Sequence, residues 1–541
     1  MYVSTRPIRA AEFAELQAAS SRQDLPRING KQRFFEVAYD GQTMTHREKM
    51  TDTAGATIFE QSVPMDYVVG SGRRAKAFIY HRGSKLLMSP LNLYSNGGVW
   101  DVAPGYADDD PRRFDRRVND ECVMCHTGRV SRLGHAPDLF QKPAFHEAAI
   151  GCETCHGAGE KHIAAHHSGQ SVSSELDPIV SPARLDYEHR ESICQQCHLQ
   201  AAARVLRAGK SPFDFRPGDL FEETWTVLDA GAGIDADGQT RAVNHVPQMQ
   251  SSRCFKESDH KLGCTSCHDP HRVPQVAERA SYYRARCLKC HETNSCVADQ
   301  ADRQAKEDSC IACHMPARES NNVSHVSQTD HRIIRRQSSP AVGESQEPPD
   351  QLTFFGGADQ RLSRLERDRA MGLGAWIHLS KKSRRPDRSL AKFLDDVLKQ
   401  SPEDSSLLAV LGSMAQEGRR SDLAINYYER ARRYPATAEM ALNGLATLYY
   451  DARRWDEALD CTDRLLVLDP GHARMSALKA EILLALGRRE EAVTAAENAL
   501  KFDPTLSDVR RGLVRLYGEL GKLDQQREQQ ELLQRIQSVS R

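Results

Sequence analysis

Six times the chain carries Cys-x-x-Cys-His. The motifs are Cys122-Val-Met-Cys125-His126, Cys152-Glu-Thr-Cys155-His156, Cys194-Gln-Gln-Cys197-His198, Cys264-Thr-Ser-Cys267-His268, Cys287-Leu-Lys-Cys290-His291 and Cys310-Ile-Ala-Cys313-His314. Two thiols about one helical turn apart can reach the two vinyl groups of one porphyrin and become thioethers. The adjacent histidine then sits beneath the iron as proximal ligand. The chemistry indicated is therefore covalent attachment of haem c, once per motif.

Zinc is the competing reading, because six thiol pairs could build three all-cysteine sites. Zinc makes no demand on the residue after the second cysteine, yet histidine stands there six times in six. A thioredoxin-like redox pair fails the same comparison. Fourteen of the 15 cysteines lie between Cys122 and Cys313, so cysteine use belongs to this one region. Cys254, Cys296 and Cys461 fall outside the motifs; a Cys254–Cys296 disulfide is left open.

Histidine tracks the motifs, as expected if many irons take a second imidazole on the opposite face. Thirteen further histidines precede residue 340 and two follow it. The distal candidates are His162, His271, His331, His325, His135 and His146; His166, His167, His189, His245 and His260 come after them in order. His271 follows His268 by three residues. Three extended residues span only roughly 10 Å, too short to pass a porphyrin edge, so as a ligand His271 must serve a different haem. The same reasoning, less strictly, applies to His162 after His156. Paired imidazoles suit low-potential electron transfer, whereas a methionine ligand raises the potential. His46 and His81 lie far from any motif and read as structural.

The elements that position these residues fall into four segments. Residues 1–118 contain no motif. Arg33 to Tyr39 followed by Asp40-Gly41, Ala77 to Tyr80 before Gly83, and Lys85 to Met88 before Pro90 read as short strands of a small β-rich lobe. Residues 119–335 hold all six motifs and show little sustained periodicity, as expected of a region whose apolar core is largely porphyrin. Residues 336–360 form a polar, proline-rich linker. Residues 361–541 read as an all-α solenoid. Ala424, Ala458 and Ala492 recur every 34 residues, the tetratricopeptide repeat (TPR) period. Pro402, Pro470 and Pro504 keep that phase, with Pro435 one residue out, and Gly418, Gly487 and Gly521 fall in helix-to-helix turns. Asp359 to Gln400 reads as a weaker repeat, and the charged helix Gln525 to Val539 as a cap. The fold class expected is α+β multidomain: β-rich lobe, haem-packed region, TPR solenoid.

With 541 residues, two or three domains is the natural expectation. A net charge of -1 gives no basic stripe for nucleic acid. No apolar run is long enough to span a bilayer. Met1 to Pro7 lacks the apolar stretch of a signal peptide. Attachment of haem to this motif takes place outside the cytoplasm, so an export leader is expected upstream of the given start.

Several segments resemble the multihaem cytochromes of the c-552/c-554 type. They are Gly151-Cys152 to His156 with Gly157 and His162; Ser252-Arg253-Cys254-Phe255; Cys264 to His271; and Cys310 to Pro316 with Thr329-Asp330-His331. The whole chain, with Gly70-Ser71-Gly72 and Trp100 to Tyr106, resembles members of that group that carry C-terminal TPR repeats. Ala158 departs from the family's usual proline. The resemblance implies periplasmic or other extracytoplasmic electron transfer through six haems, with a redox partner protein and a protein or peptide at the TPR groove. It does not by itself fix the function. An electron relay is the leading reading. A multihaem oxidoreductase of small nitrogen or sulfur compounds is the alternative. Ammonia-forming nitrite reductases resembling this group replace one motif histidine by lysine, and no Cys-x-x-Cys-Lys occurs here. A scaffold with purely structural haems is the third reading. The repeats are expected to bind a partner, or a second copy of the chain, and to leave the haem region independent of them.

Overall fold

The computed structural model describes residues 5–8, 27–28, 33–70, 74–95, 98–106, 113–168, 173, 176–230, 245–259, 261–292, 296–319, 327–335 and 351–539. They form two compact units, residues 150–385 and residues 3–149 together with 386–541. Helix and strand are mixed in both, and no described helix is long and apolar enough to cross a membrane.

In the second unit the N-terminal part is a lobe of two antiparallel sheets. One orders Arg27–Ile28, Arg33–Tyr39, Met44–Thr51 and Thr57–Pro64 as neighbours. The other runs through Thr5–Pro7, Tyr67–Val69, Ala75–Arg82, Lys85–Tyr94 and Arg116–Val118, with Val99–Val102 also on Lys85–Tyr94. Met44–Thr51 alternates buried and half-buried residues, so Met44, His46, Glu48 and Met50 share the inner face. Phe35, Phe78, Leu87, Leu91 and Trp100 fill the core there, with Phe78 stacked on Trp100 at 5.4 Å.

Pro90 does not end its strand, contrary to the sequence reading. The ladder pairs Ile79 with Met88 and Ala77 with Asn92, and its register shifts between them. Pro90 sits in that irregularity, where its missing N–H costs no ladder bond, and its carbonyl accepts Ala103 N–H at 2.8 Å.

The repeats of this unit are helix pairs: Ser405–Glu417 with Ser421–Ala431, Pro435–Asp451 with Trp455–Leu468, Ala473–Ala485 with Arg489–Phe502, and Ser507–Glu519 with Leu523–Val539. The recurring alanines Ala424, Ala458 and Ala492 have no exposed surface. The turn inside each pair places one residue in the left-handed region: Arg419 (φ 56°), Arg453 (φ 56°), Gly487 (φ 77°) and Gly521 (φ 71°). The 34-residue period is therefore one of backbone conformation, which glycine adopts freely and arginine at a cost.

The repeats also pack on the lobe. Asp469 accepts Arg82 Nε at 3.1 Å and Arg117 Nη2 at 3.3 Å; one repeat later, Asp503 lies 3.6 Å from Arg113. Buried Lys85 reaches Glu439 at 2.5 Å, and Arg117 bonds the same carboxylate. The final helix is more than a charged cap, because Ile536 is buried against Met50 and Ile58. The lobe is thus packed with the repeats, not a free-standing element.

In the first unit, Ala203–Leu206, Trp225–Asp229 and Thr353–Phe354 form a three-stranded sheet. Thr353–Phe354 comes from the end of the expected linker; residues 336–350 of that linker lie outside the described residues. Arg364–Lys381, read from sequence as part of a weaker repeat, packs on this sheet instead. A Cβ at Gly374 would stand 2.1 Å from Leu228, so glycine allows the close approach. The next helix, Arg388–Gln400, packs on Ser405–Glu417 with the repeats.

Candidate functional site

Every motif lies on or beside a helical segment. The segments are Asp120–His126, Glu153–His156, Tyr187–His198, Cys264–Cys267, Arg279–Cys287 and Cys310–His314. Asn119 caps the first at Cys122 N, and Asp186 caps the third. The N–H of His156, His268 and His291 returns to the carbonyl of its motif's first cysteine at 2.9, 2.9 and 3.0 Å. One turn of helix sets the two thiols on one side, since residues three apart share a face.

The first motif belongs to the unit of the lobe and repeats; the other five lie in residues 150–385. In that second group the motifs touch. The thiols of Cys194 and Cys264 are in contact, and this contact together with burial holds Cys264 protonated. Burial and the neighbouring Cys310 push Cys287 up to about 12. Buried Glu191, from the helix of the third motif, accepts Cys264 N–H at 3.0 and 3.2 Å. A Cβ at Gly263 would meet Glu191 Oε1 at 2.4 Å, so glycine is what lets the fourth motif's turn seat on that carboxylate.

Three of the imidazoles have defined proton positions. His156 Nδ1 bonds the Val180 carbonyl at 2.8 Å, His314 Nδ1 that of Ile334 at 2.7 Å, and His331 Nδ1 that of Thr329 at 2.8 Å. A carbonyl only accepts, so Nδ1 carries the proton and Nε2 keeps the lone pair.

Motif and non-motif imidazoles also come together. The rings of His156 and His271 lie 6.0 Å apart with planes 15° from parallel. Those of His268 and His331 are 6.2 Å apart at 31°. His245 stands 5.3 Å from His198 and 4.7 Å from His331. Burial, with the neighbouring imidazoles adding, pushes His245 down to about 3 and His268 to about 4. His198 and His331 are lowered by the same desolvation. His126 is accessible at its surface, yet the protein around it lowers its pKa through desolvation. These rings are held neutral, the form that binds a metal.

This donor set fits a haem. Two imidazole nitrogens on opposite sides of one metal, each at roughly 2 Å, would put ring centres roughly 6 Å apart, the separation of His156 from His271 and of His268 from His331. Zinc would instead gather four ligands at one point.

The remaining candidates lie elsewhere. His162 Nδ1 bonds Asp177 Oδ1 at 2.6 Å, and His166 Nε2 bonds Asp177 Oδ2 at 3.1 Å. His135 and His146 are exposed on the hairpin Val130–Arg132/Phe140–Phe145 that follows the first motif. His325 and His260 lie outside the described residues. His189 bonds Asp186 at 2.8 Å. His46 is fully buried beneath Phe78 and Trp100, and His81 bonds Asp66. Sequence reasoning placed His245 below the first distal candidates and did not single out Glu191. Neither lies at a telling distance from a motif; the signal for His245 was its place just before the Ser252 to Phe255 segment that carries the resemblance.

Comparisons with known proteins touch both parts of the chain. The tetratricopeptide repeat family model matches residues 443–507, so the C-terminal helices are TPR repeats. Cytochrome c-554 of Nitrosomonas europaea is 30% identical over 108 residues, which cover 19% of this chain. The match spans 45% of that cytochrome's length. Among solved structures, YrrB, described as a TPR protein with an unusual peptide-binding site, is 16% identical with a TM-score of 0.27 over 31% of this chain and 84% of that one. MamA from Desulfovibrio magneticus RS-1 is 12% identical with a TM-score of 0.28 over 33% and 96%. The repeat assignment rests on the family model and the 34-residue period. Helical repeats of this class present extended surfaces to protein or peptide partners.

Proposed function

We propose that this chain is an extracytoplasmic c-type cytochrome that relays electrons through six covalent haems, and that its TPR repeats dock a protein partner. The observation that carries the reading is the pairing of motif histidines with histidines from other parts of the chain, His156 with His271 and His268 with His331, at 6.0 and 6.2 Å. Haem, when bound, supplies a one-electron iron couple whose potential depends on its axial ligands.

In this reading Cys122, Cys125, Cys152, Cys155, Cys194, Cys197, Cys264, Cys267, Cys287, Cys290, Cys310 and Cys313 form the thioethers. His126, His156, His198, His268, His291 and His314 are the proximal ligands. His271 and His331 would serve as second ligands to the haems held by His156 and His268, and His245, 5.3 Å from His198, would be the candidate there. Two imidazoles from separate segments would hold the iron while its charge changes, which suits transfer rather than substrate exchange. The carbonyl bonds to Nδ1 fix the orientation of the His156, His314 and His331 rings. His271 follows the fourth motif and faces the second, so a ligand there ties two motifs into one rigid group. Export is required because the thioethers form outside the cytoplasm.

The test is direct. Acid–acetone extraction leaves all haem on the polypeptide, and the intact mass exceeds the sequence mass by six haems. Electron paramagnetic resonance shows mainly low-spin iron. A colourless, zinc-loaded protein overturns the proposal. A strong high-spin signal shifted by nitrite or hydroxylamine replaces the relay with an oxidoreductase.

A further inference from the structure

Two histidines and an aspartate gather apart from the paired imidazoles. His162 and His166 stand four residues apart on the helix Glu160–His167 and so share a face. Asp177 comes from the segment that follows. Its Oδ1 is 2.6 Å from His162 Nδ1, and its Oδ2 is 3.1 Å from His166 Nε2. The two rings are 4.5 Å apart, and one donor atom from each of the three side chains lies within 4.8 Å of the other two. No ring contact or hydrogen bond among the described residues sets a motif histidine opposite either ring. His156, the motif histidine nearest in sequence, stands beside His271.

A hydrogen-bonded trio is one use of such a cluster, but the spacing serves another. Two histidines four apart on one helical face reach a single zinc ion, and a carboxylate from a second segment makes a third ligand. With bonds of about 2.0–2.1 Å in a tetrahedral shell, neighbouring donors stand roughly 3.3 Å apart. Both N···O separations are within roughly 1 Å of that value. The imidazoles are part-exposed, so an ion can enter without opening the fold. We propose that His162, His166 and Asp177 bind one divalent transition-metal ion of the zinc class, with water in the fourth position. The site is separate from the haems and goes beyond the relay. Its consequence is mechanical. Three residues after Asp177, Val180 donates its N–H to the His156 carbonyl at 3.0 Å and accepts His156 Nδ1 at 2.8 Å. An ion tying Asp177 to the helix Glu160–His167 braces the segment that orients the second motif's histidine.

The test uses the full-length holoprotein stripped of loose metal with a chelator. Calorimetric titration with zinc acetate should show one tight equivalent. X-ray absorption at the zinc edge, which the haem iron does not obscure, should show only nitrogen and oxygen neighbours at about 2.0–2.1 Å. H162A, H166A and D177A should each weaken binding at least about tenfold. H189A, on another helix, should not. Zinc should slow hydrogen exchange across residues 160–182 in the wild type and not in D177A. Electron paramagnetic resonance of zinc-free H162A should show the wild-type count of low-spin irons. Zinc affinity unchanged in the three variants overturns the site. An iron turned high spin by H162A overturns it too, because His162 is then an axial ligand. Sulfur neighbours at about 2.3 Å would put the zinc on motif cysteines, which overturns this site and the haem reading together.

Discussion

His46 should make the N-terminal lobe acid-sensitive by an amount that its surroundings define. It lies on the inner face of Met44–Thr51 with no exposed surface, its ring 4.8 Å from Phe78 and 5.6 Å from Trp100. Nδ1 is 2.7 Å from Ser89 Oγ, and Nε2 has no partner. Desolvation pushes its pKa from 6.5 to about 3. The other charges on this face are Glu48 with Arg33 and Arg113, which are already paired. Below pH 6.5 the unfolded chain protonates this histidine and the folded lobe does not, so the unfolded state binds more protons and stability rises with pH. The neutral ring's contribution is complete above 6.5 and is lost as pH falls towards 3. The gap between those values amounts to about 5 kcal/mol, of which about 3 kcal/mol is gone by pH 4. Replacing His46 by Phe removes the titration and keeps an aromatic ring in the core. Hydrogen exchange of peptides spanning residues 44–51, compared between wild type and H46F from about pH 7 to pH 4, reads the opening free energy of this strand. The wild-type value should fall relative to H46F by about 3 kcal/mol over that range. Parallel curves would refute the reasoning, because they would mean that the ring reaches solvent or is protonated without opening.

Four further variants have expected outcomes. Glu439→Ala strands Lys85, which is 1% exposed, and should cost about 3–5 kcal/mol in urea unfolding; replacing both partners by apolar residues should restore most of it. Gly487→Ala meets no atom within 4 Å at φ +77°, so its cost is backbone alone, about 1–2 kcal/mol. Arg453→Gly, at the equivalent turn, should stabilise by about 0.5–1 kcal/mol, and thermal melts of the two variants should move in opposite directions. His271→Ala should turn one iron high spin, and the haem affected should be the one at Cys152 and Cys155, identified by isolating the changed signal in a C152A/C155A background.

The six motifs stand out in the sequence because each keeps one spacing, Cys-x-x-Cys-His, and the repeats were legible because a solenoid must restate its turn every 34 residues. The reach argument about His271 is likewise a limit of chain length, and its ring stands beside His156. What escaped the sequence was long-range. Arg364–Lys381 has the apolar face of a repeat helix, and nothing in that face says that the strands of Ala203–Leu206 and Trp225–Asp229 cover it. Pro90 looks like a terminator until the register shift beside it is known. The pairing of Lys85 with Glu439 joins residues 354 apart, a distance at which no local pattern speaks. The same holds for His245.

Repeat proteins commonly gain or lose whole units during evolution, because each unit contacts only its neighbours. This array has surrendered that freedom. Asp469 and Asp503 sit one period apart on the loop edge and are met by Arg82 with Arg117 and by Arg113, while Ile536 is seated on the lobe farther along. Excising one 34-residue unit between them would leave the sheet's arginines out of step with the carboxylates they meet. The β lobe acts as a ruler for the solenoid, so copy number here should be inherited as strictly as a buried core residue, and length variation among descendants of this chain should gather in its loops.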